Sequence, residues 1–357
     1  MKALITAGGR ATRLRPITHT INKHLIPLAN QPMIFYALEK VVEVGIKDIY
    51  ININPGDKEI PAAVGDGERF GARVHYIEQT GGPQGVAHII ANAAPYLANS
   101  SFLFYFGDNI LLGDLGSLLT KFQKEKLNCL LAFAQVKDPG RFGVPVIKDG
   151  RLLKVIEKPA APPCNLAQAG IYFYDQSIFE AVKNIAPSAR GELEISDANT
   201  YLIEQGFQVG YEEITGWWKD TGLPDDLLEA NAILLDQKVS QTPEVSGAIS
   251  RETQIKGGVK IGAGSQVLGN SELRGPLIIG ENCLIDNSSL GPAVAIGSGT
   301  IIKNSQIINS LIMAGVEVQA ARLKDSILGQ GTKVTAHGGS VTSRVLVGDN
   351  SVIEGPS

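Results

Sequence analysis

Short apolar segments alternate with amphipathic segments from the start of the chain to about residue 238. One amphipathic segment, Pro32–Val44, has helical periodicity, with Pro32 suited to a first turn and Gly45 to the residue after the end. Strands that alternate with helices are typical of a sheet whose faces the helices cover. We therefore predict a Rossmann-like α/β domain with a mixed, mostly parallel sheet. Its predicted strands are Lys2–Thr6, Asp48–Asn54, Arg73–Glu78, Phe102–Phe106 and Leu130–Val136.

A different period, of six residues, runs through the C-terminal part of the chain. Aliphatic residues recur at Ile249, Ile255, Ile261, Val267, Leu273, Ile279 and Ile285, and in a shifted register at Leu290, Ile296, Ile302 and Ile308. The related units IGAGSQV, IGENCLI, IGSGTII, LGQGTKV and VGDNSVI begin at positions 261, 279, 296, 328 and 347. Hexapeptide repeats predict a parallel β-helix in which each short strand turns one aliphatic side chain inward and glycines occupy the corners. By resemblance to other hexapeptide-repeat proteins, we expect a left-handed β-helix of about five or six stacked coils.

The segment Ser240–Gly247 is polar, aperiodic and contains proline and glycine, which is typical of a linker. It divides the chain into two predicted domains, an α/β domain over residues 1–238 and a β-helix over residues 248–357.

Composition restricts the partners of the protein. The 357 residues are 44% hydrophobic and 19% charged with a net charge of -4, and lysine and arginine form no runs, which argues against nucleic acid as a partner. No segment reaches the roughly 18 apolar residues of a membrane span, and the N-terminal MKALITAGG lacks the features of a secretory signal. Three widely separated cysteines, Cys129, Cys164 and Cys283, fit reduced thiols that pack in the interior. We therefore expect a soluble, cytoplasmic protein.

A glycine-rich loop with several cations, AGGRATRLRP, follows the first predicted strand at residues 7–16. Gly8 and Gly9 would let backbone N–H groups approach phosphate oxygens, and Arg13 would add a planar grip with several donors. Lys23 follows within NKHLIP and could bring a second cation to the same phosphates. A Gly-Gly turn with solvated arginines would produce the same local pattern, so the loop alone does not decide the function.

The residues Gly8–Pro27 resemble the signature of sugar-phosphate nucleotidyltransferases, in which an Ala-Gly-Gly loop ends in Thr-Arg-Leu-x-Pro and is followed by Lys-x-Leu-x-Pro. The segments ININPGD (51–57) and AVGDGERFGARVHYIEQ (63–79) resemble the second and third strands of that family. The hexapeptide tail is similar to that of the family's long-form glucose-1-phosphate thymidylyltransferases, so the resemblance covers essentially the whole chain. It implies transfer of a nucleotidyl group from dTTP to glucose 1-phosphate, with dTDP-glucose and pyrophosphate as products, for deoxysugar or polysaccharide biosynthesis.

The resemblance also implies roles for individual residues. Arg13, Lys23 and Asp108 would be catalytic, the two cations holding the triphosphate, and Asp108 and Asp220 would bind Mg²⁺ as the cofactor. The nucleotide would be bound by Gly8, Gly9, Arg10, Thr12, Arg13, Gln79 and Gly85, with Gln79 and the backbone near Gly85 reading the base. The sugar 1-phosphate would be bound by Asn109, Gly143, Glu157, Lys158, Gly170 and Arg190. From the residues alone, Asp108 could equally be a turn residue after a strand and Glu157 a surface ion-pair partner.

The sequence departs from the family at three positions. Ala11 stands where the loop usually has a glycine, and it would be strained if that position requires a positive φ. Thr6 replaces a usual leucine near the base. Gln168 lies where related chains tend to be apolar, which leaves the sugar preference open.

Other functions remain compatible with the sequence. The same chemistry could use UTP or another sugar 1-phosphate, since one methyl group changes binding by only about 1–3 kcal/mol. His337, the one histidine of the repeat region, could serve an acetyltransferase activity of the β-helix, and Ala11 invites a non-catalytic sugar-nucleotide sensor. The β-helix could instead serve assembly, and we expect a homo-oligomer, with a trimer through the β-helix as one arrangement. The other histidines, His19, His24, His75 and His88, have no metal-binding spacing and are interpreted as surface or loop residues.

Overall fold

The structure is a computed structural model that describes residues 1–9, 11–82, 84–239, 244–336 and 341–355. Packing divides the chain into two compact units. The sheet unit comprises Met1–Gly9 and Ile34–Asp220, and the β-helix unit comprises Arg10–Met33 and Thr221–Ser357. An N-terminal segment therefore packs with the C-terminal third of the chain. The domain boundary between residues 238 and 248 stays a prediction.

Strands and helices alternate before residue 239, as the hydrophobic pattern predicts. The strands are β1 (Lys2–Thr6), β2 (Pro27–Leu28), β3 (Gln31–Pro32), β4 (Asp48–Ile53), β5 (Arg73–Glu78), β6 (Phe102–Phe106), β7 (Asn109–Leu111), β8 (Cys129–Gln135), β9 (Gly143–Lys148), β10 (Arg151–Glu157), β11 (Leu166–Tyr174), β12 (Val209–Glu213) and β13 (Trp218–Asp220). The helices are α1 (Met33–Glu43), α2 (Glu59–Val64), α3 (Val86–Leu97), α4 (Leu115–Lys124), α5 (Ser177–Asn184), α6 (Ile195–Glu204) and α7 (Pro224–Lys238). Short 3-10 helices lie at Thr12–Leu14, Ile17–His19, Lys23–Leu25, Glu68–Phe70 and Pro139–Arg141.

The sheet unit is built on a seven-stranded sheet with the strand order β12-β8-β11-β6-β1-β4-β5. Strands β1, β4, β5 and β6 run parallel, β12 runs parallel to β8, and β11 is antiparallel to β6 and β8. The sheet is therefore mixed and mostly parallel, as predicted. Buried aromatic side chains fill one layer of the core, among them Phe102, Phe104, Tyr172 and Tyr174. The carboxyl ends of β1, β4, β5 and β6 meet at one edge, which is where ligands bind in open α/β sheets.

The C-terminal repeats form a left-handed parallel β-helix, as predicted. Its strands are β14 (Glu244–Val245), β15 (Ala248–Ile249), β16 (Gln254–Lys256), β17 (Val259–Ile261), β18 (Gln266–Leu268), β19 (Glu272–Arg274), β20 (Leu277–Ile279), β21 (Leu284–Asp286), β22 (Ser289–Leu290), β23 (Val294–Ile296), β24 (Ile301–Lys303), β25 (Gln306–Ile308), β26 (Ser310–Ile312), β27 (Glu317–Gln319), β28 (Arg322–Lys324), β29 (Ile327–Leu328), β30 (Lys333–Thr335), β31 (Leu346–Val347) and β32 (Val352–Glu354). Among the described residues they form two seven-stranded sheets and one five-stranded sheet. Five coils therefore carry a strand on all three faces, and two further coils carry strands on two faces.

The aliphatic residues of the repeat point into the core of the β-helix. Val267, Ile285, Ile302, Val318 and Val334 lie in register on successive coils and are buried in the core of the β-helix. Glycine occupies some corners, but asparagine occupies others at positive φ, namely Asn282, Asn287, Asn304 and Asn309. Asparagine tolerates this region better than most residues. The expectation that glycines form the corners was therefore incomplete.

Helix α7 joins the two parts of the β-helix unit. It contacts β23 and β26, whose outward-facing residues Ala295 and Leu311 are buried beside Ile327 of the next strand. It also contacts β2 of the N-terminal segment. No helix in the described part of the chain is long and apolar enough to cross a membrane.

Candidate functional site

The glycine loop begins where β1 ends, and the side chain of Asn54 fixes its conformation. Asn54 Oδ1 accepts from the Gly9 amide at 3.0 Å, and Asn54 Nδ2 donates to the Gly9 carbonyl at 3.3 Å. Gly8 packs closely against three carboxamides, since a β-carbon there would lie 3.2 Å from Asn52 Nδ2, 3.3 Å from Asn54 Oδ1 and 3.7 Å from Gln79 Oε1. Both heteroatoms of the buried Asn52 amide lack a partner among the described residues. This edge of the sheet thus keeps unused hydrogen-bonding capacity beside the loop.

The cationic part of the loop belongs to the β-helix unit. Thr12 and Arg13 are exposed in a 3-10 helix that is anchored by the buried Leu14. The Arg13 guanidinium forms no ion pair with any residue that the structure describes. Arg10, predicted to bind nucleotide, lies outside the described residues.

Ala11, which stands where the family usually has a glycine, adopts the left-handed conformation. Its φ is 43° and its ψ is 41°, and its carbonyl accepts from Thr18 Oγ1 at 2.8 Å. A left-handed alanine costs roughly 1–2 kcal/mol.

We expect Ala11→Gly to raise the free energy of unfolding by about 0.5–1 kcal/mol, because the strain is relieved and glycine's greater chain entropy offsets only part of the gain. Urea unfolding followed by circular dichroism measures the difference. An unchanged or lower midpoint would mean that the Ala11 conformation is not strained.

Lys23 begins a second short turn in the same segment. It opens the 3-10 helix Lys23–Leu25, whose preceding residue Asn22 accepts from the His24 amide at 3.0 Å through Oδ1. The cap orients the turn, and the Lys23 side chain is half-buried. His24 is 4% exposed, so its interpretation as a surface residue was wrong.

Gln79, predicted to read the base, is held in a polar cluster at the beginning of α3. Its Nε2 donates to the Gly82 carbonyl at 3.3 Å and lies 3.5 Å from His88 Nδ1. Burial lowers the pKa of His88, so the ring is neutral near pH 7 and can accept from the amide. This arrangement directs Gln79 Oε1 toward Gly8 as an acceptor. His88 therefore orients Gln79 from within helix α3 and is not a simple surface residue.

Gly85 links the residues predicted to read the base with those predicted to bind the sugar phosphate. Its φ is 98°, and a β-carbon there would lie 2.5 Å from the Leu193 carbonyl oxygen. Leu193 in turn donates its amide to Gln84 and accepts from Ala87. Only glycine fits this approach, which brings the segment carrying Arg190 beside the start of α3.

The two predicted magnesium ligands lie at neighbouring strand ends. Strands β7 and β13 are antiparallel with Asp220 opposite Asn109, so Asp220 is one residue removed in register from Asp108. Asn109 Nδ2 donates to Asp108 Oδ1 at 2.9 Å, and Trp218 Nε1 donates to Asn109 Oδ1 at 2.9 Å. Asn109, 2% exposed, therefore orients the Asp108 carboxylate.

The positions of Asp108 and Asp220 are compatible with a divalent metal ion whose remaining ligands would come from phosphate and water. The described residues contain no group of three or more histidine, cysteine or acidic side chains arranged to hold a metal. Mg²⁺ commonly takes one or two carboxylates and completes its shell with phosphate and water. Asp108 and Asp220 supply such a pair.

The predicted sugar-phosphate residues form one connected cluster. Glu157 ends β10, its Oε2 accepts from Ser196 Oγ at 2.6 Å, and Lys158 Nζ lies 3.4 Å from its Oε1. Arg190 donates to Glu194 Oε1 through Nη2 at 2.7 Å and through Nε at 3.1 Å. The structure thus brings both predicted cations next to Glu157.

Acidic side chains dominate the surroundings of Arg190. Its Nη2 lies 3.5 Å from Glu157 and 3.6 Å from Glu192, in addition to its bonds with Glu194. Burial, followed by the charges of Glu194 and Glu157, raises the pKa of Asp197. A phosphate would therefore have to share the guanidinium with carboxylates already bound to it.

Two glycines keep space open in this cluster. A β-carbon on Gly143 would lie 2.3 Å from Gln168 Oε1 and 2.6 Å from Ser196 Oγ. Gly170 has a φ of 61°, and a β-carbon there would lie 2.9 Å from Asn109 Oδ1. Gln168 is 5% exposed, its Oε1 lies 3.0 Å from Ser196 Oγ, and its Nε2 lacks a partner among the described residues. This buried amide group is available to a ligand.

Several site residues could not be recognised from motifs. Asn54 and Ser196 act through the backbone of Gly9 and the carboxylate of Glu157, and both contacts depend on tertiary structure. The polar Asn52 between Ile51 and Ile53 of β4 was a local signal at this edge. Thr6 Oγ1 lies 3.3 Å from the Gly107 amide, so this departure from the family ties β1 to the segment before Asp108.

Comparison with known proteins identifies the relatives of the chain. The family model described as nucleotidyl transferase matches residues 2–237. A glucose-1-phosphate thymidylyltransferase of Streptomyces griseus is 38% identical over 98% of this chain and 98% of its own. The low-salt glycan biosynthesis nucleotidyltransferase Agl11 of Haloferax volcanii is 34% identical over 99% of this chain and all of its own (100%). A crystal structure of a candidate glucose-1-phosphate thymidylyltransferase from Bacillus anthracis, in complex with sucrose, is 36% identical with a TM-score of 0.62 and covers 65% of this chain and 94% of that chain.

Proposed function

The chain belongs to the nucleotidyl transferase family, and we propose that it transfers a nucleotidyl group from dTTP to glucose 1-phosphate. The products would be dTDP-glucose and pyrophosphate, which would supply deoxysugar or polysaccharide synthesis. The observation that carries the proposal is the position of Asp108 and Asp220 at adjoining ends of the paired strands β7 and β13, in the same sheet unit as the Glu157–Lys158–Arg190 cluster. Full-length similarity to named thymidylyltransferases supports it.

In the proposed reaction an oxygen of glucose 1-phosphate attacks the α-phosphorus of dTTP, and the bond from that phosphorus to the bridging oxygen of pyrophosphate breaks. The attacking phosphate is already a nucleophile, so no covalent enzyme intermediate is required. The contribution of the protein is positioning and charge stabilisation. Gln79, with the backbone near Gly85, reads the base. Glu157 accepts from sugar hydroxyls.

Charge neutralisation is the central requirement of this reaction. Two unit negative charges 4 Å apart repel by about 4 kcal/mol at an effective dielectric constant near 20. Arg13 and Lys23 would bind the triphosphate, while Lys158 and Arg190 would bind the sugar phosphate. Bound magnesium would neutralise charge on the phosphates. Because carboxylates already surround Arg190, we expect Lys158 to be the stronger contact for the sugar phosphate.

A pyrophosphate-release panel tests the proposed function. It crosses dTTP, UTP, CTP, GTP and ATP with glucose, galactose and N-acetylglucosamine 1-phosphates in the presence of Mg²⁺. We expect the highest kcat/KM for dTTP with glucose 1-phosphate. A higher value for UTP or for another sugar would correct the substrates while keeping the chemistry. Absence of release from every pair would favour the non-catalytic sensor.

Gln168 should contribute to sugar selection, since its buried Nε2 has no partner among the described residues and its Oε1 contacts Ser196, which in turn bonds Glu157. We expect Gln168→Val to lower kcat/KM for glucose 1-phosphate about tenfold, because the valine cannot hydrogen-bond the sugar. The ratio of rates for glucose 1-phosphate and its monodeoxy analogues measures this role, and Gln168→Met is the size-matched control for volume. Ratios that match wild type in both variants would remove Gln168 from sugar recognition.

We propose that the sheet of the β-helix formed by β15, β18, β21, β24, β27, β30 and β32 serves assembly. The outward-facing row of this seven-stranded sheet reads Leu284, Ile301, Glu317, Lys333 and Val352, so it combines apolar residues, of which Ile301 and Val352 are 36% and 67% exposed, with the Glu317–Lys333 ion pair. We expect such a sheet to support a homo-oligomer, of which a trimer is one form. Light scattering with size-exclusion chromatography measures the number of copies.

The alternative acetyltransferase activity rests on His337, which lies outside the described residues. Incubation with acetyl-CoA and sugar phosphates, with detection of free thiol, tests it. The cytoplasmic location stays a prediction.

A further inference from the structure

One corner of the β-helix is formed mostly by glycines that lie above one another along its axis, with Met313 at the equivalent position of one coil. A β-carbon on Gly262, Gly280, Gly297 or Gly329 would lie 2.3–2.6 Å from a backbone atom of the next coil. At these glycines a β-carbon would force the backbone of the next coil to shift. Each glycine is therefore present because the following coil rests directly on it.

Gly348 occupies the same position in the last coil of the described residues, and a different part of the chain covers it. A β-carbon there would lie 2.9 Å from Thr20 Oγ1 and 3.0 Å from the Pro16 carbonyl oxygen. Gly348 is buried. Residues 16–20 therefore take the place that the next coil takes at the earlier glycines.

The hydrogen bonds of this corner repeat in the same way. The amide of the residue after the glycine donates to a side-chain oxygen of the next coil, from Glu281 to Ser298 Oγ at 3.0 Å and from Gln330 to Asp349 Oδ1 at 2.8 Å. The Asp349 amide donates to Thr20 Oγ1 at 2.9 Å. Thr20 thus supplies the acceptor that a further coil would have supplied.

A second attachment lies at the hairpin of β2 and β3. Its two turn residues, Ala29 and Asn30, have φ angles of 45° and 60°. Asn30 Nδ2 donates to the Ile296 carbonyl of β23 at 2.7 Å, and the buried Ala29 amide donates to Asn231 Oδ1 of α7 at 2.8 Å. The N-terminal segment is therefore fixed to the β-helix unit on both sides of Lys23.

We propose that the β-helix positions the triphosphate-binding segment, with its final coil acting as a template for residues 16–20. Lys23 lies between the two attachments, and Arg13 lies three residues before Pro16. The inference rests on the proposed function, which assigns Arg13 and Lys23 to the triphosphate. It gives the repeat region a part in nucleotidyl transfer, with Thr20 and Gly348 as positioning residues.

The test displaces residues 16–20 by substitutions in the β-helix and compares the effects on the binding of dTTP and of glucose 1-phosphate. Gly348→Ala and Gly348→Val insert side chains against Thr20 and Pro16. We expect Gly348→Val to raise the Kd and KM for dTTP about tenfold and to lower kcat, with a smaller effect of Gly348→Ala. The KM for glucose 1-phosphate should stay within twofold of wild type, because its proposed ligands belong to the sheet unit.

Matched variants separate positioning from general stability. Gly355→Ala alters the same end of the β-helix where a β-carbon would make only ordinary contacts, the nearest 3.4 Å from Ala336 Cα, and should behave as wild type. Thr20→Val removes the acceptor for the Asp349 amide and should raise the Kd for dTTP about threefold. Thr20→Ser keeps the acceptor and should restore wild-type binding.

The outcomes distinguish this inference from the proposed function. Wild-type dTTP binding in Gly348→Ala, Gly348→Val and Thr20→Val would overturn the positioning role, as would equal losses for both substrates. If Gly348→Val does not fold, the dTTP binding of Gly348→Ala and Thr20→Val tests the positioning role. Lys23→Ala is measured alongside, and near-normal turnover of that variant would overturn the assignment of the triphosphate instead.

Discussion

Lys23→Ala should reduce kcat for pyrophosphate release about 10³-fold, the scale seen when one preorganised charge-stabilising group is removed from an active site. The ammonium is expected to hold the triphosphate and stabilise the charge that moves onto pyrophosphate. It is set on a short turn that Asn22 caps and that lies between two attachments to the β-helix. The backbone that carries the ammonium is therefore held in place by contacts on both sides.

Lys324→Ala is the control for loss of a lysine, because Lys324 is exposed on the outer face of β28. That variant should keep wild-type kinetics. Thermal unfolding midpoints of both variants should match wild type within a few degrees, since exposed or half-buried lysines add little to stability. Lys23→Ala with near-normal turnover would remove the residue from catalysis.

Asp108→Ala should lower kcat at least as much, because it removes a proposed magnesium ligand. It also leaves Asn109 Nδ2 without the acceptor that it now uses. Asp108→Asn separates the two effects, since the amide oxygen keeps an acceptor for Asn109 and removes the charge. We expect both variants to lose about 10³-fold in pyrophosphate release. Recovery of activity in Asp108→Asn would show that orientation of Asn109, and not metal binding, is the role of Asp108.

Asp220→Asn belongs to the same test. It should raise the Mg²⁺ concentration for half-maximal rate by about tenfold or more, because a carboxylate next to the ion contributes directly to affinity. Titration of the rate with Mg²⁺ at saturating dTTP measures it. A half-maximal concentration equal to that of wild type would exclude Asp220 as a ligand.

The fold was predictable because its two signals are local. A period of six residues identifies the β-helix within each coil, and strands alternating with helices identify the α/β sheet. The packing of residues 10–33 with the C-terminal repeats was not predictable in this way. It joins Thr20 to Asp349, and no local pattern records such a pairing.

The sequence indicated candidate motif residues of the site but not the residues that orient them. Motif residues such as Asp108 and Glu157 were recognised from their resemblance to a family, but their orienting partners were not. Asn109 was predicted to line the sugar pocket, and the structure shows in addition that it bonds Asp108 and Trp218. Ala11 shows the reverse case, since the sequence identified the position where a positive φ would cause strain, and the structure shows that φ is positive there. Orienting contacts depend on which strands lie next to each other, so a local sequence pattern does not predict them. Backbone strain depends on the conformation of one residue, so a local pattern can indicate it.

The most direct test of the central claim is to follow the α-phosphorus of the nucleotide. The enzyme is incubated with [α-³²P]dTTP, glucose 1-phosphate and Mg²⁺, and the products are separated by chromatography. We predict that the label appears in a sugar nucleotide that also contains the glucose, while parallel [γ-³²P]dTTP labels only pyrophosphate. Transfer of the γ-label to the sugar phosphate, or release of labelled orthophosphate alone, would contradict attack at the α-phosphorus and with it the proposed function.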